Sequence, residues 1–143
     1  MIMPTPQPAI TVAAADYDRL CNLAERSAQT MPEVAGFLLE ELDRATIAPT
    51  PPDTIQMGAR ARFEDETGEA RDVRLVYPED AEAARGHISV LTPVGAALLG
   101  LAAGQSISWR DRRGALRTLT VLSVSHDPND EISVPEDTRT IHL

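Results

Sequence analysis

The chain has 143 residues, 43% hydrophobic and 24% charged, enough to bury a core without disulfide staples and to form one compact domain, at most with a small appendage. Its 22 acids outnumber its 13 bases, every base is an arginine, and the net charge is −9. That balance gives no basic field for nucleic acid, and 3% aromatic residues give no base-stacking platform.

Residues 1–10 are proline-rich and predict a frayed arm. They lack the apolar core of a secretory signal, and no apolar run approaches the ~18 residues of a membrane span. A cytoplasmic location is therefore expected. Residues 16–29 predict a helix with Tyr17, Leu20, Cys21, Ala24 and Ala28 on one stripe. Cys21 is the single cysteine, which excludes an internal disulfide framework and a cysteine zinc cluster. Thr30-Met31-Pro32-Glu33 has the spacing of a capping box. It predicts a second helix over 31–47 with Val34, Phe37, Leu38, Leu42 and Ala45 inward and a Glu40–Arg44 pair outward. So short a turn makes the two helices an antiparallel hairpin. Residues 48–53 carry three prolines and predict a stiff linker at a domain boundary.

The period then becomes two. Residues 57–64 and 72–77 predict strands around the turn 65–68, with Met57, Ala59, Ala61, Phe63, Val73, Leu75 and Tyr77 inward. Residues 79–85 predict a polar loop or helical turn, and 87–91 a strand with Ile88 and Val90 inward. Thr92, Pro93 and Gly100 punctuate a short helix as cap, first residue and stop. Residues 105–110 and 116–125 predict the last two strands. The layout is α+β: a helical hairpin over 10–47, a body of about five antiparallel strands with one short helix over 54–127, and an acidic, mobile tail over 128–143.

Catalytic motifs are missing: no phosphate loop, no Gly-x-Gly-x-x-Gly, no Gly-x-Ser-x-Gly and no His-Glu-x-x-His. His87, His126 and His142 read as edge or loop histidines. Cys21 reads as a small hydrophobe in the hairpin seam. Glu64-Asp65-Glu66 reads as a solvated turn, with a metal ligand set as the alternative. No cofactor or metal is expected.

Three segments carry a resemblance. The run from Val90 to Trp109, with Leu91-Thr92-Pro93-Val94-Gly95-Ala96-Ala97-Leu98-Leu99-Gly100 at its head, resembles the signature of the Gre transcript-cleavage factor C-terminal domain. Glu41-Leu42-Asp43-Arg44-Ala45 and Leu75-Val76-Tyr77-Pro78 match as well. Within that superfamily the chain is most similar to the Rnk-type regulators of nucleoside diphosphate kinase, over residues 10–127. The resemblance implies a short coiled-coil hairpin on an FKBP-like body. It also implies a non-enzymatic regulator that binds bacterial RNA polymerase near its secondary channel, without sequence-specific nucleic-acid binding of its own and without a membrane. Partner contact falls on Thr92 and Pro93, where Gre factors have Ser-Pro, and on Leu91, apolar where the Gre pattern is polar or acidic. Gre factors carry two acids at the hairpin tip to hold a catalytic magnesium. Here the tip is Gln29-Thr30-Met31-Pro32-Glu33 on short arms, so transcript cleavage is not expected. A prolyl isomerase, or an interaction module with another partner, is the alternative. The isomerase would need an aromatic-lined pocket built from Phe63, Tyr77 or Trp109.

Overall fold

The computed structural model describes residues 8–49, 53–111 and 113–126. Residues 1–7, the tail from 128 with His142, and residues 50–52 of the proline linker lie outside these. Strand β1 (Thr11–Ala13) leads into helix α1 (Ala14–Ser27), which turns through residues 28–31 into α2 (Pro32–Arg44) and then strand β2 (Thr46–Ala48). β1 and β2 pair in parallel, Val12 opposite Ile47, and tie off the open end of the hairpin.

A five-stranded sheet follows: β3 (Arg60–Asp65), β4 (Ala70–Val76), β5 (His87–Ser89), β6 (Ser106–Arg110) and β7 (Leu116–Ser125), in the order β5-β4-β3-β7-β6. Helix α3 (Pro93–Leu98) lies between β5 and β6 in the chain. The expected inward face is observed except at Met57, which lies in a turn before β3 and is only partly buried: Ala59, Ala61, Phe63, Val73, Leu75, Tyr77, Ile88 and Val90 are all buried. The sheet is mixed, however, where antiparallel strands were expected. β5 runs parallel to β4. The connection between them takes two 3-10 turns, Pro78–Asp80 and Ala83–Arg85, and returns the chain to the start of a neighbouring strand, as a parallel pairing requires. β7 shifts register against β3 between Arg62 and Phe63, which places Leu122 outward as the extra residue of a bulge.

The N-terminal region departs further from expectation. Residues 8–13 are built into the fold, with Ile10 and Val12 fully buried. The Thr11 N–H donates to the Gly100 carbonyl at 3.2 Å. Gly100 permits this approach: its φ is +80°, and a Cβ there would stand 2.8 Å from Ile10 Cβ. The Gln56 side-chain amide acts as a missing strand along β1, donating to the Thr11 carbonyl at 2.6 Å and accepting from the Ala13 N–H at 2.9 Å. Helix α2 ends at Arg44, and residues 46–48 are strand because they are captured by β1. The capping box does not form. The N-cap is Met31, and the Thr30 hydroxyl donates back to the Ser27 carbonyl at 3.4 Å. The outward Glu40–Arg44 pair is replaced by Glu41–Arg44, with Glu41 buried.

Hairpin and sheet share one core. Leu20, Ala24, Phe37, Leu38 and Leu42 belong to the same apolar cluster as Leu75, Val90, Leu98, Ile107 and Leu119. The hairpin lies against the body: the Phe37 and Trp109 rings stand 5.9 Å apart, and α2 packs on α3.

Candidate functional site

The head of α3 is built around one hydroxyl. Thr92 Oγ1 donates to the Ser89 carbonyl at 2.8 Å and accepts from the Gly95 N–H at 3.0 Å. The cap therefore satisfies an orphan donor of the helix and ties the helix to the end of β5. Pro93 follows in the first turn, where its missing N–H costs nothing. Glycine is needed at residue 95, because a Cβ there would stand 2.1 Å from the Ser89 carbonyl oxygen. The Leu91 N–H donates to Ser89 Oγ at 2.9 Å. Pressing α3 this closely onto β5 sorts the three residues expected to meet a partner. Pro93 is exposed, Thr92 is half-buried with its hydroxyl engaged, and Leu91 is only 6% exposed, in the core. Leu91 supports the site from below and does not present its side chain.

Pro93 forms part of a groove of about 470 Å³. Glu33 and Val34 come from the first turn of α2, Trp109 and Asp111 from the end of β6, and Arg113 and Arg117 from the β6–β7 hairpin. The rim thus carries two acids and two arginines, one of which, Arg117, is held by Glu66 at 2.7 Å. No local pattern of residues announces this grouping, because it depends on how α2 lies across the body. Its one legible anchor is the Pro93 end.

The other residues singled out from the sequence do not converge. His87 opens β5 and His126 is exposed after β7. Cys21 is half-buried against the core beside Tyr17. The acidic turn is a structural device: Asp65 Oδ1 accepts from the Thr67 hydroxyl and from the Thr67 and Glu69 N–H groups. The Thr67 hydroxyl bond, followed by the backbone bonds, holds the Asp65 carboxyl below the usual carboxylate range. Among the described residues, no three His, Cys, Asp or Glu side chains are placed to hold a metal ion. Phe63, Tyr77 and Trp109 are 2%, 8% and 3% exposed and belong to the core, and of the three Trp109 also lines the groove beside Pro93.

At the other end of the hairpin, α1 is clamped to the body. Tyr77 donates its hydroxyl to Asp16 at 2.9 Å. Arg19 lies over the Tyr77 ring at 3.6 Å and reaches Glu79 at 2.6 Å. Burial, and then the bond to Asp16, pushes the Tyr77 phenol far above its ordinary value, so it stays a donor at any physiological pH. No helix among the described residues is long and apolar enough to cross a membrane.

Comparison with known proteins agrees with this architecture. A family model described as "Transcription elongation factor, GreA/GreB, C-term" matches residues 49–126, and a model for the Rnk N-terminus matches residues 8–47. The chain is 36% identical to the regulator of nucleoside diphosphate kinase of Escherichia coli K12 over 126 residues, 85% of this chain and 93% of that protein. It is 38% identical over 74 residues to the transcription elongation factor GreA of Desulfovibrio desulfuricans, 51% of this chain and 45% of that one. The solved GreA/GreB elongation factor of Nitrosomonas europaea superposes with a TM-score of 0.63 at 34% identity, covering 83% of this chain and 99% of that one. The chain belongs to the GreA/GreB family, in the branch that joins an Rnk N-terminus to the GreA/GreB C-terminal domain.

Proposed function

We propose that this chain is a non-enzymatic regulator that docks on bacterial RNA polymerase beside the secondary channel, through the surface around Pro93, and does not stimulate transcript cleavage. The observation that carries this reading is the near full-length match to a regulator of nucleoside diphosphate kinase, with a GreA/GreB C-terminal domain whose signature proline is exposed beside a groove. Thr92 and Leu91 hold that proline in place. The contact expected of all three residues is thereby concentrated on Pro93 and the rim next to it.

The tip supports the second half of the reading. Residues 27–32 contain no carboxylate, Glu25 stands on the first arm, and Glu33 faces the groove. A magnesium ion shared with a polymerase needs oxygen ligands at ~2.1 Å. Two acids on separate arms of a hairpin laid against its own body do not supply them. The same short hairpin suits a passive role, in which the docked body denies the channel to longer factors.

The test is a binding titration of fluorescently labelled protein with purified core polymerase. Wild type binds, Pro93→Glu weakens binding by roughly tenfold or more, about 1.4 kcal/mol, and leaves the thermal midpoint near that of wild type. Equal affinity of the two proteins, or no binding by either, overturns the proposal.

A further inference from the structure

The groove at Pro93 has two unlike halves, and together they specify what lies in it. One half is apolar: Val34 from the first turn of α2, Pro93 and Trp109 line it. Met31, which caps α2 just before Glu33 and Val34, is 40% exposed. The apolar wall therefore continues towards the tip of the hairpin. The other half is cationic, and the β6–β7 hairpin makes it so. Asp111 fixes the turn: its Oδ1 accepts the Arg113 N–H at 2.9 Å and the Ala115 N–H at 3.0 Å. The Gly114 N–H closes on the Asp111 carbonyl at 3.0 Å. The Asp111 carboxylate is thereby engaged by the backbone, and exposed Arg113 stands on a well-fixed turn. Arg117 is held by Glu66, whose carboxylate also accepts the Thr118 N–H at 3.2 Å. Of the two arginines lining the groove, Arg113 is the one whose guanidinium has no partner among the described residues.

An apolar wall beside an unpaired guanidinium selects its occupant. Single-stranded nucleic acid needs exposed ring faces to stack on, and Trp109, 3% exposed, offers none. A basic segment meets Arg113 as a like charge. A segment with an apolar side chain next to a carboxylate satisfies both halves, because the carboxylate takes a guanidinium in a charge-assisted, bidentate bond. We propose that the groove receives an acidic, amphipathic segment of a protein partner. Its apolar side chain seats between Val34, Pro93 and Trp109, and its carboxylate pairs with Arg113. Resting on the reading of this groove as the docking surface, the assignment makes Arg113 the residue that selects the partner.

Trp109 is the only tryptophan of the chain and lines the groove, so its fluorescence reports on an occupant. The full chain is titrated with the peptide Ac-Glu-Leu-Leu-Glu-Glu-Leu-NH2 and with its counterpart in which lysine replaces every glutamate. The acidic peptide should change the Trp109 emission saturably, and the basic peptide should not. Arg113→Glu, at an exposed site, should weaken the acidic peptide by roughly fivefold or more with the thermal midpoint unchanged, and Arg113→Lys should keep most of the affinity. Binding to core polymerase should weaken in Arg113→Glu by a similar factor. Equal binding of the two peptides, no saturable change with the acidic one, or its displacement by a single-stranded oligonucleotide overturns the proposal. Polymerase binding that is lost in Pro93→Glu and intact in Arg113→Glu overturns it too, while leaving the docking surface in place. Acidic-peptide binding that depends on Arg113, in a chain that binds no polymerase, sustains it and removes polymerase as the partner.

Discussion

The two arms of the hairpin are alike in length and unlike in role. Helix α2 buries Ala35, Phe37, Leu38, Glu41 and Leu42, and lies against α3 and Trp109. Helix α1 buries Leu20, Ala24 and Ser27, and otherwise rests on the body through the Asp16–Tyr77–Arg19–Glu79 cluster. Both arms reach the core, but α2 gives it a continuous face, whereas α1 adds Leu20 and Ala24 and completes its hold on the body with surface chemistry. The difference teaches that a hairpin in this family need not be an independent lever: its second helix is a wall of the C-terminal domain's groove.

The largest effect expected from this contrast is at Phe37. Phe37→Ala should cost about 3–5 kcal/mol and lower a single unfolding transition seen by both far-ultraviolet and tryptophan signals, because Trp109 is its neighbour. If the helical signal melts alone while Trp109 stays in place, α2 is not part of the core. Arg44 comes next. It pairs with Glu41, which is 1% exposed, and donates to the Pro8 carbonyl, while Glu41 Oε1 and Arg44 Nη2 have no hydrogen-bond partner. Arg44→Ala strands a buried carboxylate and should cost about 3 kcal/mol in urea unfolding at pH 7.

The same pair gives a pH signature. Burial, only partly offset by Arg44, raises the Glu41 carboxyl above its usual range. Its favourable contribution is then complete below the ordinary value of ~4.3 and is lost as pH rises through the folded-state value. Glu41→Gln should therefore gain stability relative to wild type as pH climbs from about 4 to 7. A constant difference between the two urea midpoints across that range would contradict the assignment.

Smaller effects separate cap from clamp. Thr92→Ala removes both hydrogen bonds at the head of α3 and should cost about 1 kcal/mol, with Thr92→Ser largely restoring it. Arg19→Ala removes an ion pair whose side chains are 57% and 59% exposed, together with the stacking on Tyr77. Its cost should stay below about 1 kcal/mol and shrink in salt. A cost at Arg19 equal to that at Phe37 would erase the distinction between the arms.

Where patterns are local, the sequence shows them plainly. β7 occupies residues 116–125 as its alternation predicts, and Thr92-Pro93 announces α3 correctly because cap and first-turn chemistry are decided within a few residues. Where structure depends on distant partners, the signal fails. β1 and β2 are each three residues long and exist only through each other, so residues 46 and 47 read as the tail of a helix and residue 48 as linker. Glu41 is legible in the sequence: it stands four residues after Phe37 on the apolar stripe, whereas Glu40 falls beside it. The parallel β5 also had a cue in a connection of residues 77–86, long for a hairpin. Pro93 marked one end of the groove, but Glu33, Val34 and Trp109 join it only through the way α2 is laid down.

The most direct test of docking without catalysis is RNA cleavage in a backtracked polymerase complex, with saturating protein alone and in competition with a Gre factor. The account predicts the intrinsic cleavage rate with the protein alone and a fall toward that rate when it is added to the Gre-stimulated reaction, with Pro93→Glu relieving the inhibition. Cleavage above the intrinsic rate by this protein alone, or an undiminished Gre-stimulated rate in its presence, would contradict it.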